Sequence, residues 1–328
     1  MKALVYLLVI PILFGCSSNL KKTESAVVAL PQVRATDTLM KFEARPAAGF
    51  NFAYLVYLPK GTKSQSQNYL MVETNNSGLN DSIEFHERGA RYAASKSGVA
   101  NYVSKKLQIP LLIPIFPRSE TNWQYYTHAL DRDVILSKGS DIERLDLQLL
   151  AMIGDARKQL AKQGYPLKEK FFITGFSASG TFANRFSILH PELIQATASG
   201  GINAMPILPV SEIEGQPLNY PLGIADLQQI TGKPVNMKAF SNLPKILYMG
   251  ALDDNDAVAF DDAYSQEDRE IVYRLMGRQL VPQRWQFVEK VYLKSGVQAD
   301  FRTYQNIGHG TDLKINDDLV EFFRKYSE

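Results

Sequence analysis

Lys170-Phe171-Phe172-Ile173-Thr174-Gly175-Phe176-Ser177-Ala178-Ser179-Gly180-Thr181 decides the fold of this 328-residue chain. The apolar run Lys170 to Thr174 reads as a strand and Thr181 to His190 as a helix, so the chain must turn sharply between them. A strand-turn-helix of this kind, with a serine pointing up from the turn, is a nucleophile elbow. It needs a small residue two before the serine and two after it, because the turn is strained and the helix packs tightly on the strand. Gly175 and Ser179 hold those positions around Ser177. Ser179 departs from the G-x-S-x-G pattern but is small, and Gly180 relieves crowding one residue on.

Outward from the elbow, strands and helices alternate. Upstream, Leu39 to Ala44 and Phe52 to Leu58 flank Arg45-Pro46-Ala47-Ala48-Gly49 as an antiparallel hairpin at a sheet edge. Asn68 to Glu73 is a short strand stopping at Thr74-Asn75-Asn76-Ser77-Gly78, and Glu84 to Lys106 is mostly helical. Ile109 to Phe116, with two prolines, predicts a strand near one edge. Asp141 to Gln163 repeats Ile142, Leu145, Leu149, Ile153, Ala156 and Leu160 at helical spacing. Downstream come strands at Leu193 to Ser199, Lys245 to Met249 and Ala299 to Tyr304, and helices at Gln266 to Met276, Trp285 to Leu293 and Ile315 to Tyr326. The pattern predicts one α/β domain over 38–328, a mostly parallel sheet covered by helices on both faces. Residues 202–242 break the rhythm with Pro206, Pro209, Pro217, Pro221 and Pro234, which predicts an insertion, either a lid over a pocket or a surface excursion.

An unactivated serine hydroxyl is a poor nucleophile at neutral pH and needs a general base. Of the four histidines, His190 ends the elbow helix, His86 opens a helix and His128 lies in the aromatic segment Trp123-Gln124-Tyr125-Tyr126-Thr127-His128. His309 differs, because Asn306-Ile307-Gly308-His309-Gly310 follows the last strand and loops at carboxyl ends of parallel strands converge on the pocket. A base histidine needs an acid to fix its tautomer. Gly250-Ala251-Leu252-Asp253-Asp254-Asn255-Asp256-Ala257-Val258, also at a strand end, offers several carboxylates, of which one suffices.

The order Ser177, then Asp253 or Asp256, then His309 resembles that of the α/β-hydrolase superfamily. Asn255-Asp256-Ala257-Val258-Ala259 is similar to the acid loop of polyester hydrolases and cutinase-like esterases. This resemblance implies Asp256 as the acid, with Asp253 the alternative by the G-x-x-D spacing from Gly250 found in other branches. It also implies an oxyanion hole from the N–H of Ala178 and one N–H after the third strand, Asn76 favoured over Asn75. The His-Gly-Gly motif of many lipases is not found there. Trp123, Tyr125, Tyr126 and His128 follow another strand end and either line an acyl or aromatic subsite or simply pack. The expected activity is a serine hydrolase acting on small or polymeric carboxylic esters, with no metal or cofactor. A serine peptidase, or a non-catalytic envelope module on the same fold, is the alternative.

Lysines and arginines number 36 against 34 acids, a net charge of +2, and the two signs are interspersed. That implies no nucleic-acid partner. One cysteine allows no disulfide framework, so stability must come from a core. Its position is informative: Lys2, the apolar Ala3 to Phe14 and Leu13-Phe14-Gly15-Cys16 resemble a bacterial lipoprotein signal, too short to span a bilayer. The resemblance implies a signal peptide at 1–15, lipidation of Cys16, a tether over 16–37 and a place on a membrane of the bacterial cell envelope. Ser17 after the cysteine is similar to outer-membrane sorting signals.

Overall fold

Alternate residues along the central strands belong to two different cores. In the strand before the elbow, Phe171 and Ile173 face one layer and Phe172 the other; in Tyr54–Leu58, Tyr54, Val56 and Leu58 face the first layer and Leu55 and Tyr57 the second. A strand buried on both faces needs no polar alternation, which is why these runs are almost continuously apolar. The computed structural model describes residues 32–96 and 98–327. The expected signal peptide, the lipidation site Cys16 and most of the tether lie outside them.

Among the described residues ten strands follow in order: β1 Thr38–Phe42, β2 Tyr54–Leu58, β3 Met71–Val72, β4 Leu111–Pro114, β5 Phe171–Phe176, β6 Ile194–Gly200, β7 Glu212–Ile213, β8 Gln216–Pro217, β9 Lys245–Gly250 and β10 Asp300–Tyr304. The helices are α1 Ile83–Ser95, α2 Val99–Leu107, α3 Arg132–Leu136, α4 Leu145–Lys162, α5 Ala178–Leu189, α6 Leu227–Thr231, α7 Met237–Asn242, α8 Gln266–Leu275, α9 Trp285–Lys294 and α10 Leu313–Lys325. Eight strands form one sheet ordered β1-β2-β4-β3-β5-β6-β9-β10, antiparallel only where β2 pairs with β1 and β4. Helices α4, α5, α8 and α9 contribute to the core on one face, and α1, α2 and α10 to that on the other. This is the α/β-hydrolase fold, and β5 stands at its centre. Among the described residues, no helix is long and apolar enough to cross a membrane.

β4, expected near one edge, is third from it; Pro110 precedes the ladder and Pro114 ends it, so neither proline removes a donor mid-strand. Two expectations change. Gln32 to Arg34, expected as tether, pair with the turn after β2: Arg34 N–H donates to Thr62 O at 3.0 Å and Ser64 N–H to Gln32 O at 2.9 Å. The 202–242 segment forms part of the first core, burying Ile202, Met205, Leu208, Tyr220, Leu222 and Phe240. Its backbone is held from inside, with Asn184 Oδ1 accepting from Ile207 N–H at 2.8 Å, and Tyr292 Oη donating to Ile207 O at 2.8 Å. The segment is a wall of the core rather than a cover, and of its residues Asn203 lines the cleft around Ser177.

Candidate active site

The turn after β5 holds Ser177 at φ 62°, ψ −129°, a region costly for a residue with a Cβ, by about 1–3 kcal/mol. Its neighbours fix it there. Ser177 N–H donates to Gly200 O at 2.9 Å, and Thr181 N–H donates to Ser177 O at 2.9 Å. A Cβ on Gly175 would stand 2.4 Å from the Ser179 backbone, and one on Gly180 would stand 2.3 Å from Gly200 O. Both positions therefore require glycine, and the close approach of helix to sheet falls on Gly180 rather than on the usual second glycine. Ser179 is more than small. Its Oγ accepts from Phe176 N–H at 3.0 Å and donates to Phe176 O at 2.8 Å, stapling the turn.

His309 meets Asp253. Its Nδ1 lies 3.0 Å from both Oδ1 and Oδ2 of that carboxylate, which is buried while the ring stays partly open to solvent. The cause is a close contact of loops. Gly250 ends β9 so near the histidine loop that a Cβ would stand 2.3 Å from Gly308 O; beyond it, Leu252 N–H donates to Ile307 O at 2.8 Å. Side by side, the two loops bring the residue three after Gly250 to the imidazole. Asp256, expected there, has already turned away. Its Oδ1 accepts from Val258 N–H at 3.1 Å, and its other oxygen pairs with Arg284, whose fully buried guanidinium also donates to Ala204 O at 3.3 Å and Arg278 O at 2.9 Å. Asp256 is thus a structural anchor of the acid loop, and the expectation that it partners His309 is corrected to Asp253.

No direct hydrogen bond joins Ser177 to His309. Ser177 Oγ donates to Asn203 Oδ1 at 3.4 Å, and His309 Nε2, with its other nitrogen protonated toward Asp253, accepts from Asn255 Nδ2 at 3.0 Å. Asn255 links them, since it lines the same cleft as Ser177 and touches His309, and the Phe176 ring centre lies 4.8 Å from that of His309. Sequence reading missed both asparagines as contacts of the reactive atoms. The available signal was position alone: Asn203 follows Gly200-Gly201 at the end of β6, and Asn255 follows Asp253.

The loop after β3 is rigidly placed. Asn75 acts like an extra peptide unit, accepting from Phe116 N–H at 3.0 Å through Oδ1 and donating to Phe116 O at 2.8 Å through Nδ2. His86 braces the same loop, with Nδ1 2.7 Å from Ser77 Oγ and Nε2 2.8 Å from Asn80 O. His128 Nε2 sits 3.0 Å from Phe116 O, and burial drives its pKa down to about 3. His190 pairs instead with buried Asp146 at 2.8 Å. The backbone N–H groups of Asn75, Asn76 and Ala178 donate to no described residue. Asn76 also borders a second cavity, of about 460 Å³, together with Glu73, Phe176 and Ser179. Glu73 is buried where β3 ends, and desolvation lifts its carboxyl to about 7 despite a hydrogen bond from Ala100 N–H.

Ser177 opens into a cleft of about 520 Å³. Trp123 and Tyr126 line it, whereas His128 is buried, so the aromatic segment is partly cleft wall and partly packing. Arg118, Phe260, Asp261 and Asp262 complete the wall and were not singled out as lining from sequence. Among the described residues, no group of three or more His, Cys, Asp and Glu is placed to hold a metal ion.

No protein-family model and no curated protein sequence matches the chain. Among solved structures it is similar to poly(aspartic acid) hydrolase-1 of Sphingomonas sp. KT-1, with a TM-score of 0.54 at 17% identity over 90% of this chain and 99% of that one. The fluorophosphonate-binding serine hydrolase F of Staphylococcus aureus gives 0.49 at 11% identity, over 89% of this chain and 99% of that one. The S-formylglutathione hydrolase of Agrobacterium tumefaciens gives 0.47 at 12% identity, over 89% and 94% respectively. At these identities the likeness is one of fold, in agreement with the strand order.

Proposed function

We propose that this chain is a serine hydrolase acting on carboxylic esters through Ser177, His309 and Asp253. The observation that carries this reading is the pairing of His309 Nδ1 with buried Asp253 at 3.0 Å, beside a serine held at positive φ at the head of a helix. Substrate entering the cleft displaces Asn255 from His309 Nε2, which then takes the Ser177 proton as Oγ attacks the carbonyl carbon. Asp253 holds the Nδ1 proton and stabilises the imidazolium. The oxyanion draws on the N–H groups of Ala178 and Asn76. Collapse of the tetrahedral species breaks the acyl–oxygen bond, and His309 returns its proton to the leaving alcohol. Water attacks the acyl-enzyme by the same route and releases the acid. The fold shared with poly(aspartic acid) hydrolase-1 is compatible with a hydrolase and does not by itself set the bond attacked.

Fluorophosphonate labelling tests the reading. The wild-type chain labels and Ser177→Ala and His309→Ala do not; a folded wild type that resists labelling would falsify it.

The N-terminal sequence supports a second part of the proposal, that Cys16 carries lipid and holds the domain at a bacterial envelope membrane. Metabolic incorporation of an alkyne fatty acid, abolished by Cys16→Ala, is the expected result, and unlabelled protein in the soluble fraction rejects it.

A further inference from the structure

Three of the large apolar side chains that the fold leaves exposed stand at one cleft. Leu79, Trp123 and Phe260 are 41%, 46% and 57% exposed, and all three line the space into which Ser177 opens. Apolar surface gathered in this way marks recognition rather than stability. The charged part of the wall points the same way. Arg118 is its one cation among the described residues, and it is already engaged: it lies 2.6 Å from Asp262 and stacks over the Tyr126 ring at 3.6 Å from the centre. Asp261 adds a second carboxylate, bridged outward to Arg269 and itself well exposed. The two carboxylates of the wall are thus each paired with an arginine, Asp262 with Arg118 and Asp261 with Arg269, so an incoming anion would lose hydration without meeting a free cationic partner. The polar groups nearest the reactive atoms, Asn203 and Asn255, are uncharged amides.

We propose that, given the serine-hydrolase reading, this cleft selects esters whose bound portion is uncharged and aromatic, held by Trp123 and Phe260, and discriminates against esters carrying a carboxylate there. The substrate class is thus opposite in charge character to the polyanion for which the similar Sphingomonas enzyme is named.

Ester hydrolysis by the full chain, followed by pH-stat, tests this. Methyl 3-phenylpropanoate, methyl butanoate and monomethyl succinate vary the acyl half; benzyl acetate, ethyl acetate and acetylglycolate vary the alcohol half. In at least one half, kcat/KM for the aromatic ester exceeds that for the small neutral ester by roughly tenfold, and the carboxylate-bearing ester falls below both. Trp123→Ala and Phe260→Ala, both at exposed positions, each reduce the aromatic preference about fivefold, and Trp123→Phe retains most of it. Labelling by fluorophosphonate together with an equal or better rate on the carboxylate-bearing esters overturns this inference alone. An aromatic preference unchanged in both alanine variants does the same. Absence of labelling overturns the hydrolase reading and this inference with it.

Discussion

His309 Nδ1 lies equidistant, at 3.0 Å, from the two carboxylate oxygens of Asp253, whose side chain is only 1% exposed while that of the histidine is 25% exposed. A buried acid behind a half-open base is the arrangement in which the acid cannot exchange its partner for water, so the tautomer of the base is fixed before substrate arrives.

Asp253→Asn is therefore expected to reduce kcat/KM by roughly 10³–10⁴-fold while leaving thermal unfolding nearly unchanged. Asp256→Ala should do the reverse in kind. It leaves the buried Arg284 without its carboxylate and destabilises the fold by about 2–3 kcal/mol, with a much smaller loss of activity in protein that remains folded. Activity and denaturant unfolding measured on both variants separate the roles; comparable kcat/KM losses would assign them wrongly.

Restoring the common pattern at the elbow should weaken it. Ser179→Gly removes both hydrogen bonds to Phe176, with an expected loss of about 1–3 kcal/mol. Gly180→Ala forces a methyl against Gly200 O, the carbonyl that also receives the Ser177 N–H, and should cost about 1–3 kcal/mol with a sharp fall in labelling rate. A Ser179→Gly variant more stable than wild type in urea would show that the staple contributes nothing.

Asn255 Nδ2 lies 3.0 Å from His309 Nε2, the nitrogen that the proposed mechanism reserves for the Ser177 proton. Asn255→Ala should raise the fluorophosphonate labelling rate of the free enzyme about 2–5-fold, the equivalent of one modest hydrogen bond. A slower rate would mean that the amide orients the ring instead of occupying it.

Glu73 gives a pH signature with a definite sign. Burial raises its pKa from 4.5 to about 7, so between those values the unfolded chain has lost a proton that the folded chain keeps. Folding stability consequently falls as pH rises through this window and levels off above it. Glu73→Gln removes the effect, so its stability relative to wild type should improve by roughly 3 kcal/mol from pH 4.5 to pH 7.5. A difference that stays flat across urea titrations in that range would place Glu73 in contact with water or a partner charge.

What was legible in the sequence was whatever depends on local pattern. β5, the elbow and α5 follow from the apolar run, the positions of Gly175 and Gly180 and the helical spacing beyond. The histidine loop follows from its place after the last strand. Asp256 was misread because likeness of a short loop says nothing of where the loop turns; Gly250 and its contact with Gly308 decide that, and the contact is between segments over 50 residues apart. The place expected for β4, near one edge, left its neighbours open; it lies third from that edge, and its two prolines are tolerated there because they fall at the ends of the ladder. Asn203 and Asn255 carry no local signal beyond their place after a strand, and Arg118 none. Their relation to Ser177 exists only after the sheet has brought the ends of β4, β5, β6 and β9 together.

The loop from Gly250 to Asp262 divides at Asn255. Its first part is clamped against the histidine loop and carries the acid, while its second part, through Phe260 to Asp262, forms a wall of the cleft. The anchor of Asp256 on Arg284 stands between the two parts, so on the proposed function changes beyond it should reshape the cleft while the distance between Asp253 and His309 holds. One short stretch of chain would then carry specificity at one end and proton-transfer geometry at the other.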